Sequence, residues 1–178
     1  MTDETTELGE CLSCRKRAGA YACVSCADAV CKPCSEKVSD PLFASLEAIP
    51  NEQVEGRFCG RCWDAEMAAR LEAFQSTLEA AKQVFVFFTT QKKHIPLIRK
   101  SKTPVNVESC PDRDETILRL AYVAAKEEYN AVVDVEVTVK KVRAGGSNKT
   151  ADWKGTGFPA LVDGKKVDLQ DSREQIYR

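Results

Sequence analysis

CLSCRKRAGAYACVSCADAVCKPC, residues 11–34, holds three CxxC pairs, and GRFCGRCWD, residues 56–64, supplies a fourth. Zn2+ takes four soft thiolates in a closed tetrahedron, and two residues between cysteines let one tight turn aim both sulfurs at one ion. Four such pairs make two sites. The gaps between successive pairs are eight, four and twenty-four residues. The four-residue gap is too short for the second and third pairs to wrap round one ion, so neighbouring pairs serve different ions. This favours a cross-brace with Cys11, Cys14, Cys31 and Cys34 on one zinc and Cys23, Cys26, Cys59 and Cys62 on the other. Sequential pairing is the alternative. A redox dithiol needs a βαβ setting, which this stretch lacks.

The rest of the chain sets the chemical context. With 178 residues and 43% hydrophobic content, it is long enough for one domain or two small ones. The N-terminus, MTDETTELGE, is acidic, and no run approaches the ~18 apolar residues of a membrane helix. A soluble, unprocessed protein in a reducing compartment is expected, with the cytoplasm as its location. Of the nine cysteines only Cys110 lies outside the pairs.

The short gap in CVSCADAVCKPC and the closing GRFCGRCWDAE resemble the FYVE-type zinc finger, whose close reads Arg-x-Cys-x-x-Cys-aromatic. Arg57, Cys59, Cys62 and Trp63 occupy that pattern. The resemblance implies a treble-clef-like fold with cross-braced zincs over about residues 9–70. The family grips its lipid headgroup with a WxxD stretch and a basic box, where this chain has TELGE and GAYACVSC. Peripheral membrane or anionic-lipid binding is therefore the alternative, disfavoured reading.

Charge points the same way. Residues 1–82 hold nine Lys or Arg against fourteen Asp or Glu, and residues 83–178 hold seventeen against thirteen. Each Zn(Cys)4 adds a formal charge of about −2 to the acidic half. No nucleic acid partner is expected. Arg15, Lys16, Arg17 and Lys32 are expected to offset thiolate charge.

WDAEMAARLEAFQSTLEAAKQV lacks Gly and Pro and predicts a helix from Asp64 to Lys82. Met67, Leu71, Phe74, Leu78 and Ala81 form a stripe along it, either packed on its own domain or serving as a two-heptad self-association seam. The expected division is a binuclear finger over 1–63, a linking helix over 64–82 and an α+β domain over 83–178. VFVFFTT predicts a buried strand at 84–90. The basic segment from Lys92 to Lys102 reads as a solvated loop with strand edges, and an anion site is its functional alternative. His94, within it, has no ligand partner at metal spacing. Cys110 precedes a helix start but is expected to be an unreactive thiol.

A helix over 112–129 follows, with Ile117, Leu120, Ala121, Ala124 and Ala125 on one face. Val133 to Val139 alternate with polar residues, AGGSNK supplies a turn and TADWKGTGFPALV returns. A strand near Val105 to Glu108 extends the sheet. The fold class is α+β, with a mainly antiparallel sheet and one packed helix. This order, with Asn130 to Asp134 ending the helix and Gly155, Thr156 and Gly157 in the returning strand, resembles the YbjQ-type family of small α+β proteins. The match covers about residues 84–163. It implies a domain that assembles into rings, often pentamers, by continuing sheets between subunits. The family's heavy-metal-binding label finds too few soft ligands here to transfer.

Gly155 to Gly157 lie inside a strand pattern, so they read as close backbone packing or a bulge and not as a nucleotide loop. No catalytic pattern is visible, and closed zinc sites leave no position for substrate. The expected function is a non-enzymatic, zinc-stabilised interaction adaptor, with fingers displayed on an oligomerising domain and a protein partner that the sequence does not identify. Metal homeostasis or redox sensing is the further alternative.

Overall fold

The computed structural model describes residues 9–91, 94–143 and 149–167. The acidic start of the chain, Lys92 and Lys93, the AGGSN turn at 144–148 and the tail beyond Val167 lie outside the described residues. The chain divides into two compact units, residues 1–75 and 76–178.

In the first unit, β1 (Tyr21–Ala22) pairs antiparallel with β2 (Ala29–Val30), and β3 (Ser35–Glu36) with β4 (Phe58–Cys59). The long gap between the third and fourth cysteine pairs builds two short helices. Asp40 caps α1 (Pro41–Leu46) by accepting from the Leu42 amide at 2.8 Å, and Pro41 presets the first turn. Helix α2 (Asn51–Glu55) starts after Pro50. Next comes α3 (Gly60–Trp63), then a π turn (Asp64–Ala68), then α4 (Ala69–Ala81). This helical run begins four residues before the predicted Asp64, because Cys59 occupies the cap position and Gly60 to Trp63 already form a turn.

The unit's apolar core is small. Val30, Val38, Phe43, Ile49, Phe58, Met67 and Phe74 are buried. Phe43 meets Phe74 at 5.2 Å between ring centroids, and Phe58 meets Trp63 edge-on at 5.8 Å.

The second unit is a five-stranded sheet with a helix on one face. Strands β5 (Phe85–Phe88), β8 (Ala131–Arg143), β9 (Lys149–Val162) and β6 (Leu97–Lys100) follow in that order, and β7 (Val105–Cys110) also pairs with β9. Only β5 and β8 run parallel, so the sheet is mainly antiparallel. Helix α5 (Arg113–Lys126) is capped by Asp112, which accepts from the Glu115 amide at 2.7 Å. It buries Thr116, Ile117, Leu120, Ala121, Tyr122 and Ala124.

A Cβ on Gly155 would lie 2.6 Å from Thr116 Cγ2 and 3.1 Å from Leu120 Cδ1, so α5 seats directly on this strand position. A Cβ on Gly157 would meet Val132 Cγ1 at 2.6 Å. Successive strand residues face opposite sides, so Phe158, Ala160 and Val162 point away from α5. They join Phe87, Ala131 and Val133 in a second apolar cluster, which Phe85, Ile95 and Val167 partly cover.

The expected alternation through Val133 to Val139 is interrupted. Asp134 adopts φ 52°, and the β8–β9 register shifts between Val133 and Glu136, so Val133 joins the second cluster while Val135 packs at Gly157 on the opposite face. The stretch around IPLI contributes strand β6. Its Arg99 lies over the Tyr129 ring, and its Lys100 pairs with Asp134 beside the Phe158 ring, so these two cations are engaged within the domain.

Candidate metal centres

Each CxxC pair sits in its own kind of turn. In the first, the Arg15 amide donates to the Cys11 carbonyl at 2.9 Å, and Arg15 takes φ 52°. In the second, the Ala27 amide donates to the Cys23 carbonyl at 2.8 Å, and Ala27 takes φ 61°. Both turns therefore close on a left-handed residue just after the second cysteine. The third pair spans a 3-10 turn, Lys32–Cys34, with Pro33 inside it, and the fourth brackets the start of α3.

These turns converge pairwise. The sulfurs of Cys11, Cys14, Cys31 and Cys34 lie within 4.8 Å of one another, and so do those of Cys23, Cys26, Cys59 and Cys62. We call these sites 1 and 2. The grouping is interleaved, first pair with third and second with fourth. No cysteine is in a disulfide. The Cys14–Cys31 sulfurs are 3.8 Å apart and the Cys26–Cys59 sulfurs 3.9 Å. A regular tetrahedron of ~2.3 Å zinc–sulfur bonds has edges of about 3.8 Å. The donor chemistry and the spacing therefore both fit Zn2+.

The protonation pattern shows what a metal ion would relieve. Backbone amides of Cys31 and Cys14 stabilise the Cys11 thiolate and lower its pKa to about 6. Burial pushes Cys23 upward, but the amides of Cys59, Cys26 and Ser25 outweigh it and bring Cys23 to about 6 as well. The Cys59 amide lies 3.3 Å from the Cys23 sulfur. Conversely, hydrogen bonding to Cys31, then burial, then the Cys14 thiol push Cys34 up to about 12. Cys62 rises in the same way against Cys59 and through burial. Each cluster thus combines a readily formed thiolate with one that its neighbours oppose, and a divalent cation removes that opposition.

Around site 2, Cys59 and Cys62 lie at the positive end of the α3 dipole, which favours their negative charge. Arg61 stands beside the Cys26 thiol, whose negative charge raises its pKa, and lies 3.5 Å from Asp28. Arg57 lies 4.8 Å over the Tyr21 ring, and its Nη1 donates to Ser35 Oγ at 3.1 Å. Its carbonyl accepts from the Val24 amide, so it ties the second knuckle to β3. Ser25 Oγ donates to Glu66 Oε2 at 2.9 Å. Arg15, Lys16, Arg17 and Lys32 were the expected charge partners; a cation outside that set, Arg61, stands beside the site 2 thiols. Its place inside the fourth pair, Cys-Gly-Arg-Cys, was the available signal.

Among the described residues, these two clusters are the only groups of three or more His, Cys, Asp or Glu able to hold a metal. His94 is exposed, in a cleft with Ile95, Asp163 and Lys166, and belongs to neither. Cys110 is buried, its sulfur 3.6 Å from the Glu108 carbonyl. No described helix is long and apolar enough to cross a membrane. No protein-family model, curated protein or solved structure matches this chain.

Proposed function

We propose that this protein is a non-enzymatic, cytoplasmic zinc-binding interaction adaptor. In this reading a FYVE-like finger holding two Zn2+ is displayed on a YbjQ-like α+β domain that forms homo-oligomers. The observation that carries it is the pair of four-cysteine clusters with tetrahedral spacing. Four thiolates close the coordination shell of zinc and leave no position for substrate, which supports a structural role for both ions. Eight cysteines grouped as metal ligands suit a reducing compartment.

The chain has TELGE and GAYACVSC where the FYVE type has its headgroup-gripping WxxD stretch and basic box, which supports a protein partner over an anionic headgroup. Oligomerisation would multiply a modest affinity per finger by the number of fingers displayed. The test is zinc content and native mass on one purified sample. Two zincs per chain in a closed oligomer is the expected result. Fewer zincs would overturn the finger reading, and a monomer at all concentrations would overturn the display platform.

A further inference from the structure

Sites 1 and 2 have the same four ligands but are held differently. In site 1 both Cys14 and Cys34 are half-buried. In site 2 only Cys26 is, while Cys23, Cys59 and Cys62 are buried. Site 1 is made by one hydrogen-bonded turn and one 3-10 turn, next to strands of two residues each. Site 2 takes two ligands from the start of a helical run that continues to Ala81. Phe58 and Met67, at 0% and 1% exposure, flank those ligands in sequence and lie in the apolar core.

Loss of a zinc ion to a competing ligand requires that ligand to reach the ion as one thiolate swings away. In site 1 two ligands are half-buried, and each sits on a short turn that can give. In site 2 the displacement of Cys59 or Cys62 would drag the helix start and Phe58 with it. Backbone bonds tie both knuckles alike, Leu12 to Ala29 and Val24 to Arg57, and the second adds a side-chain bond from Ser25 to Glu66. Such outer partners change metal affinity by roughly 10- to 100-fold.

We infer that site 1 is an exchangeable soft-metal site and site 2 the fold-holding one, so that zinc leaves in order through a species with one ion, in site 2. This rests on the zinc reading above. The test uses the full chain with two zincs, challenged with excess EDTA, sampled in time by native mass spectrometry and trapped with N-ethylmaleimide for peptide mapping.

One zinc is expected to leave roughly 10- to 100-fold faster than the other. The one-zinc species should be alkylated at Cys11, Cys14, Cys31 and Cys34 while Trp63 emission is unchanged. Cys14→Ser should likewise hold one zinc with native Trp63 emission. Simultaneous loss of both ions, earlier alkylation of the site 2 cysteines, or loss of both zincs in Cys14→Ser would overturn the inference. A starting content below two zincs overturns the zinc reading itself, and the sample taken before EDTA reports that separately.

Discussion

Cys26→Ser removes one thiolate from site 2 and tests how far the first unit depends on metal. Structural zinc contributes apparent binding energies of about 10–16 kcal/mol to small folds, whereas a whole domain is stable by only about 5–15 kcal/mol. The unit's apolar core consists of Val30, Val38, Phe43, Ile49, Phe58, Met67 and Phe74, too little to hold a fold of this length unaided. Site 2 takes Cys59 and Cys62 from the start of the helical run, next to Phe58, so losing its energy also releases that core, and residues around the clusters should unfold. The second unit has its own core on both sheet faces and should survive. The chain's two tryptophans separate the outcomes, since Trp63 reports the first unit and Trp153, in β9, the second. In single-tryptophan backgrounds, Cys26→Ser should shift Trp63 emission to that of an unfolded chain while Trp153 keeps its cooperative thermal transition. Native Trp63 emission with both zincs retained would refute the reasoning, and loss of both signals together would show one cooperative unit.

Ala27→Gly relieves a left-handed, exposed position at a net gain of about 0.5–1 kcal/mol, after the entropy glycine loses on folding is deducted. The first unit's melting midpoint should rise by roughly 4 °C; an unchanged or lower midpoint would count against the knuckle geometry. Gly155→Val would force a side chain against Thr116 and Leu120 and should destabilise the second unit by about 1–3 kcal/mol in denaturant titrations followed at Trp153, leaving zinc content intact. Zinc affinity should rise with pH, because every ligand must lose its proton and Cys34 and Cys62 hold theirs above the usual thiol range. Release should steepen below about pH 6, where Cys11 and Cys23 also take up protons, as a chromogenic zinc assay across pH would show; release independent of pH would contradict thiolate ligation.

The clusters were legible because metal-ligand geometry is local: a CxxC turn aims two sulfurs whatever surrounds it, and a four-residue gap separates neighbouring turns sterically. What surrounds the clusters was less visible. Pro41–Leu46 and Asn51–Glu55 are too short to show a helical period, so α1 and α2 depend on the Asp40 cap, Pro50 and the burial of Phe43 and Ile49. Arg61 was overlooked because a cation beside a cysteine says nothing of the direction in which it points. In the second unit the helix and the long strands followed from periodicity. The Asp134 bulge did not, because one residue in a left-handed conformation leaves no trace in a pattern of alternating valines. The Leu97–Lys100 strand was hidden for another reason: all four of its residues are exposed, so no buried face imposed an alternation.

That exposed strand bears on how copies of the chain would meet. Of the stripe Met67, Leu71, Phe74, Leu78 and Ala81, the first, third and fifth are buried within the chain. Leu71 and Leu78 remain half-buried, seven residues apart, and two leucines over two turns make too thin a seam for a coiled coil. The helix is therefore a poor source of the proposed oligomer contact, and the sheet is the better one. Among the described residues strand β6 pairs on one side only, and it exposes Leu97 at 48% and Ile98 at 69%. An open edge with two large apolar side chains is the feature that folded chains ordinarily blunt or cover. Ile98→Lys should therefore lower the native mass of an oligomer without altering zinc content, whereas an oligomer that survives the substitution would have to be joined elsewhere.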